Sequence, residues 1–175
     1  EFNGVRTSVI VGKGNYQGPG ATALMYRGIV TEIVVKAIQD LHPEFSGGDI
    51  DEIRKRLRRE LPPFNGEVAG GLIPNICTGR VANRLDFMGR NFTIDAACAS
   101  SLIATEIAMQ DLANGSADLV LAGGVHIFAH VPFLQVFDAM RAMSLSSTIR
   151  PFDENCDGTM SGEGVGILAL KRLSD

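Results

Sequence analysis

The sequence predicts a layered α/β fold on three observations. Short β-branched or aliphatic runs recur along the chain, at residues 6–11, 91–95, 118–122 and 164–171. Longer stretches with apolar residues at three-to-four spacing separate them, and glycine or proline marks the junctions. Strands alternating with helices imply a sheet layered with helices.

The first run, Arg6-Thr-Ser-Val-Ile-Val11, reads as a short buried strand. It enters a loop holding Gly12, Gly14, Gly18 and Gly20, with Lys13 between the first two. This spacing matches neither the dinucleotide fingerprint nor the phosphate loop, whose lysine follows the last glycine, so the segment reads as a strand-to-helix connection. Residues 22–41 read as a helix ending near His42-Pro43. Residues 49–61 read as a second helix. Asp49 and Glu52 resemble a capping box, Ile50, Ile53, Leu57 and Leu61 form the apolar stripe, and Pro62-Pro63 stops it. Its Arg54, Lys55, Arg56, Arg58 and Arg59 form a basic run with two readings, a solvated helix face or a docking patch for an acidic carrier.

Residues 68–71 read as small and flexible, and residues 77–85 as a helix entered at Pro74-Asn75. Residues 91–95 form the next strand, and residues 99–112 a long apolar helix closed by Asn114-Gly115. Residues 118–122 read as a buried strand stopped by Gly123-Gly124, and residues 132–143 as a helix. Residues 149–162 are rich in turn formers, and residues 164–171 alternate into a last strand with Ile167, Leu168, Ala169 and Leu170 buried.

Composition narrows the function classes. Of 175 residues, 45% are hydrophobic and 21% charged, which excludes a disordered tail. The net charge of −4 supplies no global basic field toward nucleic acid or membrane. No run of some 18 apolar residues occurs, and no basic segment leads an apolar one as in a signal peptide. Cys77, Cys98 and Cys156 cannot all pair within one chain and match no zinc spacing, which predicts a reducing, cytoplasmic setting. The sequons at Asn91 and Asn114 are then coincidences. Glu1-Phe2 at one end and Leu173-Ser174-Asp175 at the other read as cut ends.

One constellation carries chemistry. The strand ending at Asp95 runs into Ala96-Ala97-Cys98-Ala99-Ser100-Ser101-Leu102, which opens a helix. A nucleophile at such a turn stands on a sharp elbow, where small neighbours let a substrate approach. The positive end of a helix dipole favours a thiolate, and backbone N–H groups of the turn can hold an oxyanion. Two readings stand for Cys98: a nucleophile, or an inert cysteine in a tight helix–strand contact. Cys77 reads as a core residue, and the carboxylates of Asp153, Glu154 and Asp157 make Cys156 a poor nucleophile. His42, His126 and His130 read as structural, so the residues alone assemble no complete cysteine-centred site.

The segment Asp95-Ala96-Ala97-Cys98-Ala99-Ser100-Ser101-Leu102 resembles the active-site segment of β-ketoacyl synthases, the ketosynthase domains of fatty-acid and polyketide synthases. Three more segments agree in order: Thr78 to Leu85, Asp118 to Val125, and Arg150-Pro151-Phe152-Asp153 through Gly162-Glu163-Gly164 to Leu173. Leu61-Pro62-Pro63-Phe64-Asn65 and Arg84-Leu85-Asp86-Phe87-Met88-Gly89 resemble most the ketosynthases of iterative type I synthases of the enediyne and polyunsaturated fatty-acid kind.

The resemblance implies a thiolase-like layered αβαβα fold, of which residues 1–175 would be the N-terminal half, the C-terminal half being absent. Cys98 would be the nucleophile. It would take an acyl group from the phosphopantetheine thioester of an acyl carrier protein, with no cofactor bound directly. A malonyl-type extender would then lose carbon dioxide and attack that acyl group. The family's two histidines come from C-terminal motifs, so none of the three histidines here inherits their roles. The implied partners are the carrier protein, the missing half and a second copy in a homodimer through the strand at residues 91–95, with no nucleic acid and no membrane. Phe133, Phe137 and Met140, at helical spacing, read either as the border of an acyl tunnel or as core or dimer packing. Ala99 stands where many relatives have Ser, and Ser161 where many have Arg. The alternative from another class is a non-catalytic truncated or split half that needs a partner chain for activity.

Overall fold

The computed structural model describes residues 3–14, 18–127 and 131–175. His130 and residues 15–17 of the glycine-rich loop lie outside the described residues. The chain divides into two compact units, residues 17–72 and the remainder.

The larger unit is built on a four-stranded sheet in the order β2-β1-β3-β4. Strand β1 (Thr7–Gly12) runs parallel to β2 (Asn91–Ile94) on one side and to β3 (Leu119–His126) on the other. Strand β4 (Gly164–Leu170) pairs antiparallel with β3. All six residues of β1 are buried, as expected of a central parallel strand covered on both faces.

Period-two alternation sends the β1 side chains to opposite faces. Val9 and Val11 pack with Ala82 and Phe87, under helix α5 (Asn75–Leu85). Ile10 packs with Val120, Ala122, Ala104, Ala108 and Leu112, under helix α6 (Ser100–Ala113). Burying Ile10 or Val120 contributes about 1.5–3 kcal/mol each. The α6 face is a row at every fourth position, Ser100, Ala104, Ala108 and Leu112, all buried. Its small side chains let the helix lie close to the sheet. Asp86 in the left-handed region (φ 56°) ends α5, and Gly115 (φ 74°) follows α6.

Three expectations for this unit are corrected. β3 does not stop at Gly123-Gly124 but runs through both to His126, and these glycines sit where the Gly166 carbonyl and the Ser101 Cβ come too close for a side chain. β4 forms, but its apolar residues are not buried: Val165 is 69%, Ile167 44% and Leu168 53% exposed. As an edge strand it pairs on one side only, and Leu170 alone packs onto the Ile10 cluster. Helix α7 (Val131–Ala139) ends four residues short of the expected Met143.

The smaller unit is helical. The stretch expected as one helix is α1 (Pro19–Met25), a π-helical turn (Tyr26–Val30) and α2 (Thr31–Leu41). The Thr31 hydroxyl donates to the Tyr26 carbonyl at 2.8 Å across that turn. His42 caps α2 through its amide, stacks on Phe45 and reaches Glu44 at 2.9 Å. Helix α3 (Gly47–Glu60) starts earlier than expected, and its capping box joins Ser46 to Asp49, not Asp49 to Glu52. The Ser46 hydroxyl accepts from the Asp49 amide at 3.2 Å, and Asp49 accepts from the Ser46 amide at 2.9 Å. Of the basic run, Arg54 and Arg58 bind Glu32 at 3.1 and 3.0 Å, while Lys55, Arg56 and Arg59 face solvent. Residues expected to be flexible form a short helix, α4 (Gly66–Gly70), whose first amides donate to the Asn65 side chain.

Candidate active site

Between the end of β2 and the start of α6 the chain reverses within five residues. The Asp95 carboxylate accepts from the Ala97 amide at 3.0 Å. The Ser100 hydroxyl accepts from the Ala96 amide at 2.9 Å and donates to the Ala97 carbonyl at 2.6 Å. The Ala99 and Ser100 amides donate back to the Ala96 and Ala97 carbonyls, both at 3.1 Å. Ala97 takes φ 51°, a left-handed conformation that costs a residue with a Cβ about 1–2 kcal/mol. Cys98 follows it, exposed, two residues before the helix.

The turn sits against the sheet through two glycines. A Cβ on Gly12 would lie 2.5 Å from the Ser100 carbonyl carbon, and one on Gly124 would lie 2.8 Å from the Ser101 Cβ. Both are at the carboxyl ends of parallel strands, where α/β sheets open a crevice. A cavity of about 520 Å³ occupies that crevice. Cys98, Ala97, Ser100 and Ser101 line one part of it, with His126, Phe133, Phe137 and Ser161 elsewhere on its wall.

The expected site residues therefore separate. Cys98 lines the cavity. Cys77 is half-buried on α5 and Cys156 exposed on the loop before β4. His126, read as structural from the sequence, stands at the end of β3 on the cavity wall. It lies two residues beyond Gly124, hence on the same sheet face as the turn. Its ring packs on Phe133 at 5.2 Å, and Phe133 on Phe137 at 4.7 Å. Of the three apolar residues at helical spacing, Phe133 and Phe137 line the cavity, and Met140 is 60% exposed. Only the extension of β3 past its glycines brings His126 here, and a glycine pair read as a stop conceals it.

Two carboxylates brace the surroundings. Asp118, just before β3, accepts from Arg6 at 2.7 Å and Arg172 at 2.8 Å, and these hydrogen bonds hold its pKa down at about 2. Asp157 accepts from the Ser144 hydroxyl and the Ser146 amide, both at 2.8 Å, and is likewise lowered to about 2. It ties together the loop that brings Ser161 to the cavity. Among the described residues no group of three or more His, Cys, Asp or Glu could hold a metal ion, and no helix is long and apolar enough to cross a membrane.

A strand–turn–helix elbow thus carries a cysteine at the carboxyl edge of a mostly parallel sheet. The sequence profile described as Beta-ketoacyl synthase, N-terminal domain, matches residues 45–175, and the chain belongs to that family. It is 37% identical over 131 residues to polyketide synthase GfsB of Streptomyces halstedii, covering 75% of this chain and 2% of that protein. It is 36% identical over 129 residues to 6-methylsalicylic acid synthase of Aspergillus niger, covering 74% of this chain and 7% of that one. Among solved structures, the ketosynthase from module 6 of the bacillaene synthase of Bacillus subtilis 168 matches 62% of this chain and 20% of its own length, with TM-score 0.58 and 33% identity. The oxazolomycin ketosynthase domain OzmH KS7 of Streptomyces albus JA3453 matches 97% of this chain and 24% of its own, with TM-score 0.63 at 23% identity, a likeness of fold. The fold is thus the thiolase-like layered one, here in part. The chain spans a small fraction of the relatives it matches.

Proposed function

We propose that this chain is the N-terminal portion of a ketosynthase domain and that Cys98 is its acyl-accepting nucleophile. The observation that carries the reading is the Cys98 elbow: an exposed cysteine beside a left-handed Ala97, lining a cavity at the carboxyl ends of β1 and β3. In the proposed reaction the Cys98 sulfur attacks the thioester carbonyl of an acyl group on carrier phosphopantetheine. The new C–S bond replaces the old one, and the carrier thiol leaves with the proton. A malonyl-type thioester then loses carbon dioxide, and its carbanion attacks the acyl carbonyl on Cys98. The Cys98 thiolate leaves, giving a β-ketoacyl thioester two carbons longer. Amides of the turn are the candidate oxyanion donors on this chain. Phe133 and Phe137 are the candidate wall for the apolar acyl chain.

The remaining half of the domain supplies the general acid–base groups in this reading, and the exposed Val165, Ile167 and Leu168 of β4 are where it packs. β2 is an edge strand, consistent with a homodimer formed along it. The proposed setting is the cytoplasm, with an acyl carrier protein as partner. An iterative enediyne or polyunsaturated fatty-acid pathway is the proposed branch. The exposed apolar residues of β4 also favour the second reading, that the chain by itself is inactive and needs its partner segment.

Condensation tests the proposal. The chain is mixed with the C-terminal half of a related ketosynthase, an acyl-loaded carrier and a malonyl-loaded carrier, and the products are read by mass spectrometry. The expected result is a β-ketoacyl carrier two carbons longer, absent with Cys98→Ala. A product that survives Cys98→Ala would overturn the assignment, and no product with the native chain would favour the non-catalytic reading.

A further inference from the structure

We infer that Ser100 is a positioning residue for Cys98, acting through the backbone of the turn and not through contact with substrate. The inference rests on the reading of Cys98 as nucleophile. Ser100 is 6% exposed although it lines the cavity, so its hydroxyl is turned into the protein. That hydroxyl is engaged in both directions, accepting from the Ala96 amide at 2.9 Å and donating to the Ala97 carbonyl at 2.6 Å. Ala96 and Ala97 are the two residues that precede Cys98, and one side chain thus ties the Asp95–Ala96 peptide to the Ala97–Cys98 peptide across the left-handed Ala97.

The other hydrogen bonds of the turn hold other groups. The Asp95 carboxylate holds the Ala97 amide from the strand side. The Ala99 and Ser100 amides reach carbonyls only. The Ala96 amide has the Ser100 hydroxyl as its partner, and without it the amide of half-buried Ala96 loses that bond. A left-handed alanine persists only where its surroundings over-determine it. Ser100 is itself closely packed: its backbone lies against Gly12 and it heads the buried row Ser100, Ala104, Ala108, Leu112 on α6. The sheet therefore holds the helix, the helix holds the hydroxyl, and the hydroxyl holds the turn that aims Cys98 into the cavity. A small error in that aim is costly, since displacing a reacting atom by about 1 Å can cost about a hundredfold in rate.

The test is the rate at which iodoacetamide alkylates Cys98, with the exposed Cys156 in the same molecule as internal reference. Sulfur displaces iodide from the reagent, and the thiol proton passes to water. Native chain, Ser100→Ala, Ser100→Thr and Ser100→Val are compared by peptide mass spectrometry. The Thr and Val variants share one shape and differ in the hydroxyl, so they decide the matter should Ser100→Ala not fold. The expected result is a Cys98-to-Cys156 ratio lowered about tenfold in Ser100→Ala and Ser100→Val, with Ser100→Thr within about twofold of native. A ratio unchanged in Ser100→Ala, or equal in the Thr and Val variants, overturns the inference. A parallel incubation with an acyl-pantetheine thioester keeps the two readings apart. Failure of the native chain to acylate Cys98 counts against the nucleophile, while the alkylation ratios still decide the role of Ser100.

Discussion

Gly12 and Gly124 are register partners across β1 and β3, and both lie against the first turn of α6. The pair makes a seat of bare backbone under Ser100 and Ser101, which lets the helix that follows Cys98 come down onto the strand ends. At Gly12 the obstacle to a side chain is backbone, which cannot rotate away. Gly12→Ala is expected to destabilise the fold by about 1–3 kcal/mol, the usual cost of overpacking, and to displace the Cys98 turn. Denaturant unfolding reads the first effect and Cys98 alkylation the second. An unchanged midpoint and alkylation rate would show that the seat is looser than its geometry.

A second expectation concerns acid. Asp118 has an ordinary pKa of 3.8 and is lowered to about 2 by hydrogen bonds from Arg6 and Arg172. A carboxylate lowered by folding adds stability that is fully present above its unfolded value and is lost as pH falls through the folded one. The contribution should thus be intact above pH 3.8 and fade toward about pH 2. Asp118→Asn removes that part of the acid dependence. Asp157, lowered to about 2 by Ser144 and Ser146, behaves alike on the loop before β4. Urea midpoints across this range, native against each variant, check the sign. A variant whose midpoint falls with acid as steeply as the native chain's would contradict it.

Much of this site is legible in the sequence. A short strand, small residues around one cysteine and an apolar helix are local features, and residues 91–112 fold as that pattern implies. What is not legible depends on neighbours distant in sequence. Gly123-Gly124 looks like a strand terminator because glycine usually interrupts strands, yet here a Cβ on Gly123 would meet the Gly166 carbonyl at 1.9 Å, and one on Gly124 would meet Ser101. His126 follows those glycines, so its place on the cavity wall is hidden with them. The apolar run of β4 reads as buried because hydrophobicity reports a preference for cover, not its presence. Asp49 does belong to a capping box, but with the Ser46 before it, a choice that turns on where the first helical hydrogen bond forms.

The aromatic wall makes a third expectation. Phe137 is half-buried between Phe133 and the cavity space, so Phe137→Ala should enlarge the cavity without emptying the core. The preference for branched or longer acyl thioesters over acetyl in acylation of Cys98 should rise by about tenfold, the worth of a methylene or two in an apolar pocket. Competition between paired thioesters measures it. An unaltered preference would place the acyl chain elsewhere.

The fourth expectation concerns association. β4 presents Val165, Ile167 and Leu168 at the open edge of the sheet, an arrangement that pairs readily with other chains. The chain on its own should therefore self-associate at micromolar concentration, and Ile167→Lys should reduce this. Light scattering that shows a monodisperse monomer for the native chain would contradict the reading of β4 as an edge made to be covered.

The most direct measurement for the central claim is the location of an acyl group among the three cysteines. The chain is incubated with an acyl-pantetheine thioester and digested, and the peptides bearing Cys77, Cys98 and Cys156 are weighed. The acyl mass is expected on the Cys98 peptide, sensitive to hydroxylamine and lost in Cys98→Ala. Acyl mass spread evenly over Cys98 and Cys156, or confined to another residue, would contradict it.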